Sequence, residues 1–207
     1  MSSATFWNKA APRYAAMKIS DPEIYARKLA ETQALLRPDM HMVEFGCGTG
    51  GTAIAHAPHV AHVQAVDLSQ AMLDLAADKV AQAEVKNVTL ECAAIETANV
   101  APESADIVLA MSLLHLLPDH NAALARIFTM LRPGGYFVSS TACISKWNLP
   151  IRTAIPLMRL FGKAPLVRYF SPESLLNDMR RAGFEDHSHW QPGRGKAMFA
   201  VMRKPAR

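Results

Sequence analysis

Cysteine is scarce in this chain. Cys47, Cys92 and Cys143 are odd in number and far apart. That spacing offers neither a disulfide framework nor a CxxC zinc site, so a reducing compartment, the cytoplasm, is expected. Long hydrophobic runs are lacking too. The longest, residues 107–117, is too short for a bilayer and carries Ser112 and His115. Residues 1–17 hold no long apolar stretch and no secretion signal. Acidic residues thin out along the chain. With histidine neutral, residues 1–140 have a net charge of −4 and residues 141–207 of +8, and between 143 and 170 there is no Asp or Glu. The basic character therefore belongs to the last third. It comes without an RNA-binding segment or a set of interleaved surface aromatics, so no nucleic-acid partner is expected.

What is present is an ordinary soluble composition, 207 residues with 50% hydrophobic and 19% charged, enough for one domain with a full core. Short apolar strands alternate with amphipathic helices. Strands are read at 41–45, 62–67, 88–92, 105–111, 136–141, 184–190 and 197–203. Asp21-Pro22, Ser69, Asp119 and Ser171-Pro172 look like helix starts, with a cap and in two cases Pro at the first helical position. The helix after Ser69 should turn Met72, Leu75, Ala76, Val80 and Ala83 inward. Arg132-Pro133-Gly134-Gly135 should stop the helix before the fifth strand. The alternation implies an α/β fold, a Rossmann-like, mostly parallel seven-stranded sheet with helices on both faces. The last two strands have no helix between them and should form an antiparallel hairpin. The organisation reads as an N-terminal helical cap (1–37), a cofactor-binding core (38–142), a substrate lid (143–170) and a C-terminal helix and hairpin (171–207).

The sharpest signal is VEFGCGTGG at 43–51, followed by Asp67 in VQAVDLS. A strand that runs into a glycine-dense turn, and a second strand that ends in a carboxylate, is how a parallel sheet holds an adenosine. Gly46, Gly48 and Gly51 satisfy GxGxxG, which by itself leaves an NAD-dependent oxidoreductase open. Glu44 argues against it: a carboxylate two residues before the first glycine repels a pyrophosphate but suits a cationic amino group. The glycines also fall at alternate positions, and the chain ends in a hairpin.

On these residues the chain resembles the class I S-adenosylmethionine-dependent methyltransferases. ExGxGxG at 44–50, the acidic loop Val66-Asp67-Leu68-Ser69, the stretch at 91–96, the strand at 106–111 and Leu131-Arg132-Pro133-Gly134-Gly135 stand in the family's order over residues 35–207. The branch is similar to ubiquinone and menaquinone biosynthesis methyltransferases. Ala93 stands where that branch usually has Asp, which leaves adenine recognition to backbone and apolar contacts. The resemblance implies S-adenosyl-L-methionine as cofactor and no metal. It implies Glu44, Phe45, Gly46, Cys47 and Gly48 around the methionine part, and Asp67 on the ribose hydroxyls. Leu68 and Met72 would lie near ribose and adenine, Ala94 and Ile95 beside the adenine, Met111 and Ser112 near the sulfonium. Trp7 and Tyr14 would close over the methionine end, or else staple the first helix.

His115 is the best-placed candidate for a catalytic base, with a wall-forming histidine as the alternative. His56, His59 and His62 form HxxHxxH, but Pro58 interrupts any helix there, so a metal is not expected. The acceptor is expected to be a small hydrophobic molecule. The basic, apolar stretch at 143–170 carries Lys146, Arg152, Arg159, Lys163 and Arg168. It would cover that molecule and read an anionic group on it, or touch an anionic membrane surface. Oligomeric state and acceptor atom have no signature in the sequence.

Overall fold

The computed structural model describes residues 2–143, 154–155, 157–159 and 164–206. Seven strands form one sheet: β1 (His41–Phe45), β2 (His62–Asp67), β3 (Val88–Cys92), β4 (Ala105–Met111), β5 (Leu131–Ala142), β6 (Glu185–Trp190) and β7 (Ala197–Arg203). Their order is β3-β2-β1-β4-β5-β7-β6. The first five pair in parallel, and β7 lies antiparallel between β5 and β6. The order reverses between β1 and β4, and at such a switch point a crevice opens at the carboxyl ends of the strands.

The sequence pattern explains the layering. β4 is buried along almost its whole length, because helices cover both of its faces. One side of the sheet gathers Phe45, Val108, Phe137 and Met202 against α5 (His120–Met130) and α6 (Pro172–Arg181). The other gathers Met42, Val63, Leu109 and Val138 with Ala53 of α3 (Gly51–His56) and Leu73 of α4 (Gln70–Gln82). α2 (Pro22–Gln33) crosses toward the far edge. There Arg27 sits 3.9 Å over the Trp190 ring, and the Trp190 indole donates to Glu31. β6 is the outer strand, and its run of exposed polar residues keeps that edge from pairing.

The helix starts follow their sequence caps. The side chains of Asp21, Ser69, Asp119 and Ser171 each accept from a first-turn amide. Three details differ from the pattern. In α4 the buried face is Met72, Leu73 and Ala76, and Ala83 is exposed. Leu73 joins Val63 and Ala65 in the core cluster on that side of the sheet, while Leu75 is only partly buried. β5 begins at Leu131, not 136. Leu131 pairs with Ala105, the chain bulges, and Tyr136 resumes opposite Ile107. The glycine pair therefore sits inside an irregular strand instead of ending a helix. Finally, α5 is closed by a residue far away in sequence. The buried ammonium of Lys204 donates to the carbonyls of Phe128 and Leu131, which the last turn of a helix leaves without intrahelical partners.

The bulge makes Gly135 sensitive. A Cβ there would lie 2.9 Å from the carbonyl oxygens of both Arg132 and Asp106. Both are backbone atoms and cannot swing away. Gly135→Ala should lower stability by about 1–3 kcal/mol, read as a shifted urea midpoint at constant slope.

Candidate active site

β1 delivers the chain into a turn that only glycine makes comfortably. Gly46 and Gly48 have φ of +67° and +53°, in the left-handed region. At Gly46 a Cβ would also come within 2.9 Å of Leu113 Cδ1. β2 delivers Asp67 beside this turn. Its Oδ2 accepts from the Gly48 amide at 2.9 Å and its Oδ1 from the Ser69 amide at 2.9 Å. Burial raises the Asp67 pKa, and those amides pull it back.

Above these strand ends lies a cavity of about 360 Å³. Trp7, Tyr14, Phe45, Gly46, Gly48, Asp67, Leu68, Met72, Ala94, Ile95, Met111 and Ser112 all line it. Five separate stretches of sequence thus meet on one hollow. Trp7 and Tyr14 come from α1 (Ser3–Ala15), with rings 6.2 Å apart and perpendicular. They face the glycine turn: Tyr14 Cε1 would be 3.7 Å from a Cβ on Gly48. These contacts place the two aromatics in the cavity wall rather than in a staple. Ser112 closes β4 with φ +59° and donates its amide to Ser140 O at 2.7 Å.

Glu44, Cys47 and His115 do not line the cavity. Glu44 is buried beneath the turn, and its Oε2 has no partner among the described residues. Burial first, then the Asp67 charge, pushes its pKa up to about 8, with the Ala53 amide opposing. Cys47 is buried, and desolvation raises its thiol well above the usual range, so it stays protonated. His115 lies in the short 3-10 turn Leu114–Leu116. Burial lowers its pKa to about 4, and its Nδ1 has no partner among the described residues. His56 of the HxxHxxH run is fully buried and likewise lowered to about 4, whereas His62 shares a 3.0 Å hydrogen bond with Thr89.

Sequence reasoning missed part of the wall: Ser3 and Ala4 at the start of α1, Glu96, and Leu113, Leu116, Leu117 and Pro118. The last four belong to the loop after β4. Their apolar run was visible, but nothing in it said that it would fold back over the cavity. The expected lid falls largely outside the described residues, including Lys146, Arg152 and Lys163. Arg168 is described, and it is committed elsewhere. Its amide donates to His115 O at 2.7 Å and its Nε to Leu117 O at 2.8 Å. Both bonds tie it to the loop after β4, and it is not among the residues lining the cavity.

The charge pattern of the site decides the cofactor chemistry. Asp67 and Glu96 are in the wall and Glu44 lies below it, while no Lys or Arg is among the described residues lining the cavity. A pyrophosphate would face carboxylates with no cation to receive it. A cationic ligand would face carboxylates, one of them with a buried oxygen lacking a partner, an arrangement that costs free energy until it is satisfied.

Residues 17–189 match the sequence model of the methyltransferase domain family. The chain belongs to the class I S-adenosylmethionine-dependent methyltransferases. Among its relatives is a ubiquinone biosynthesis O-methyltransferase of Coxiella burnetii, 32% identical over 114 residues. That match covers 55% of this chain and 48% of the relative, about half its length. Among solved structures, a possible histamine N-methyltransferase of Thermotoga maritima superposes with a TM-score of 0.74 at 22% identity, covering 97% of this chain and 99% of that one. The geranyl diphosphate C-methyltransferase of Streptomyces coelicolor, solved with Mg2+, geranyl-S-thiolodiphosphate and S-adenosyl-L-homocysteine, gives 0.73 at 15% identity, covering 88% and 76%. These likenesses establish the fold. The family fixes the methyltransferase's cofactor as S-adenosylmethionine, which the cation-poor, carboxylate-bearing cavity suits, and removes the NAD alternative.

Two outcomes follow from this site. Glu44 is largely protonated below pH 8 in the free protein, so a ligand ammonium that stabilises its carboxylate must expel a proton. S-adenosylhomocysteine affinity should therefore rise with pH between about 6 and 8. Calorimetry in buffers of different ionisation enthalpy should show proton release, and Glu44→Gln should abolish it. Asp67→Ala should weaken the same ligand by about 1–3 kcal/mol at an unfolding midpoint measured alongside.

Proposed function

We propose that the protein methylates a hydroxyl oxygen of a small, hydrophobic acceptor. The observation that carries this reading is the apolar part of the cavity lining, with Trp7, Leu113, Leu116, Leu117 and Pro118 and no Lys or Arg among the described lining residues. Burial of such a surface favours an acceptor that brings hydrocarbon or an aromatic ring. The name of the Coxiella relative, an O-methyltransferase of ubiquinone biosynthesis, supports oxygen as the acceptor atom.

S-adenosylmethionine supplies a methyl group that its sulfonium charge already makes electrophilic. The chain's task is then to bind, orient and dehydrate. Asp67 would hold the ribose hydroxyls. Glu44 would answer the ammonium, and the Gly46–Gly48 backbone would let both come close. Trp7 and the loop at 113–118 would press the acceptor against the reacting carbon and exclude water. Holding two reacting atoms about 3–3.5 Å apart contributes several kcal/mol.

His115 takes a supporting role in this reading. It stands outside the cavity wall and its imidazole is a weak base. His115→Gln should keep kcat within about threefold. A loss of a hundredfold or more, the scale of a missing general base, would instead return it to the chemistry. The acceptor class is tested with methyl-labelled cofactor and a panel of apolar phenols, catechols and primary amines. Label should enter the hydroxylated compounds. Label found only in the amines would overturn the oxygen assignment.

A further inference from the structure

α1 covers the cavity and rests on α4, but it buries little of itself there. Ala11 is its one buried residue. Pro12 lies inside the helix. A proline has no amide hydrogen, so the Asn8 carbonyl loses the partner it would normally find four residues on. A 13-residue helix with these features is marginal by itself. Besides its packing on α4, the side chain of Asn8 hydrogen-bonds it to the domain. Asn8 Oδ1 accepts from the Ser69 hydroxyl at 2.7 Å and from the Ala71 amide at 3.2 Å. The backbone N–H of Ala71 can only donate, so the oxygen of Asn8, not its nitrogen, must face α4.

The residue that Asn8 grips is itself part of the cofactor loop. Ser69 is fully buried and caps α4 through the Met72 amide. Its own amide donates to Asp67 Oδ1, and Asp67 Oδ2 accepts from Gly48. One chain of hydrogen bonds therefore runs from α1 through Ser69 and Asp67 to the glycine turn. On the same helix, Trp7 and Tyr14, on either side of Asn8 in sequence, line the cavity.

We propose that Asn8 is a positioning residue for the cofactor site: it docks α1 on the Asp67–Ser69 loop so that Trp7 and Tyr14 close over the bound cofactor and delay its release. The proposal rests on the cofactor reading of the cavity. Asn8 is itself exposed, so its removal acts on the cover and not on the core. Aspartate in its place still offers an oxygen to both donors, at a helix N-terminus that favours negative charge. Alanine offers none.

The test measures S-adenosylhomocysteine release by stopped flow, the unfolding midpoint, and backbone hydrogen exchange of residues 3–15 with and without that ligand. In the wild type, ligand should slow exchange across α1 severalfold. Asn8→Ala should release the ligand roughly five- to thirtyfold faster, the scale of one or two neutral hydrogen bonds, and lose the added protection at a nearly unchanged midpoint. Asn8→Asp should restore both. The proposal is overturned if α1 exchange in the wild type ignores the ligand, if Asn8→Ala releases it at the wild-type rate, or if aspartate behaves as alanine does. Failure of the wild type to bind S-adenosylhomocysteine at all would overturn the cofactor reading instead, and the inference with it. The wild-type exchange arm stands even if Asn8→Ala does not fold.

Discussion

A carboxyl group buried under a glycine turn sets the terms for this site. Glu44 is inaccessible to water, one of its oxygens lacks a partner among the described residues, and the nearby Asp67 makes its ionisation harder still. The fold places both near the carboxyl ends of the neighbouring strands β1 and β2, on one side of the switch in strand order. The turn between them passes through Gly46 and Gly48 at left-handed φ. Such an arrangement is costly in the free protein and rewards a ligand that carries positive charge and two hydroxyls. The absence of Lys and Arg from the described wall is the other half of the same design.

The rest of the structure can be understood as support for that pair of acids. β4 and β5 are held in register past a bulge, so that Met111 and Ser112 emerge beside the turn. Lys204 closes α5 and so fixes the helix under β5. Arg168 reaches back to the carbonyls of His115 and Leu117 and steadies the apolar wall. α1 forms the remaining side through two aromatic rings.

Much of this was legible in the sequence, for physical reasons. Strands buried on both faces, such as β4, are continuous apolar runs, and local caps such as Ser69 and Asp119 announce their helices. The glycine turn and Asp67 are local too, because the backbone conformation and the carboxylate sit at the strand ends that present them. What stayed hidden depends on distant partners. Nothing near Lys204 says that it caps α5, and nothing near Arg168 says that its guanidinium reaches the Leu117 carbonyl. The loop at 113–118 and Glu96 read as ordinary residues until the sheet brings them to one hollow. His115 was singled out because it titrates and follows β4. Its neighbours turn toward the cavity while its half-buried imidazole lies outside the wall, a choice made by tertiary packing.

We propose that Glu44 and Asp67 favour a cationic, sulfur-bearing adenosine cofactor over a dinucleotide. Parallel calorimetric titrations of the purified protein with S-adenosylmethionine, S-adenosylhomocysteine and NAD test it directly. Both sulfur ligands should bind at one site with dissociation constants of about 1–100 μM, roughly −5 to −8 kcal/mol, and NAD should produce no saturable heat. Saturable NAD binding of equal or greater affinity, or no binding of either sulfur ligand, would contradict the account.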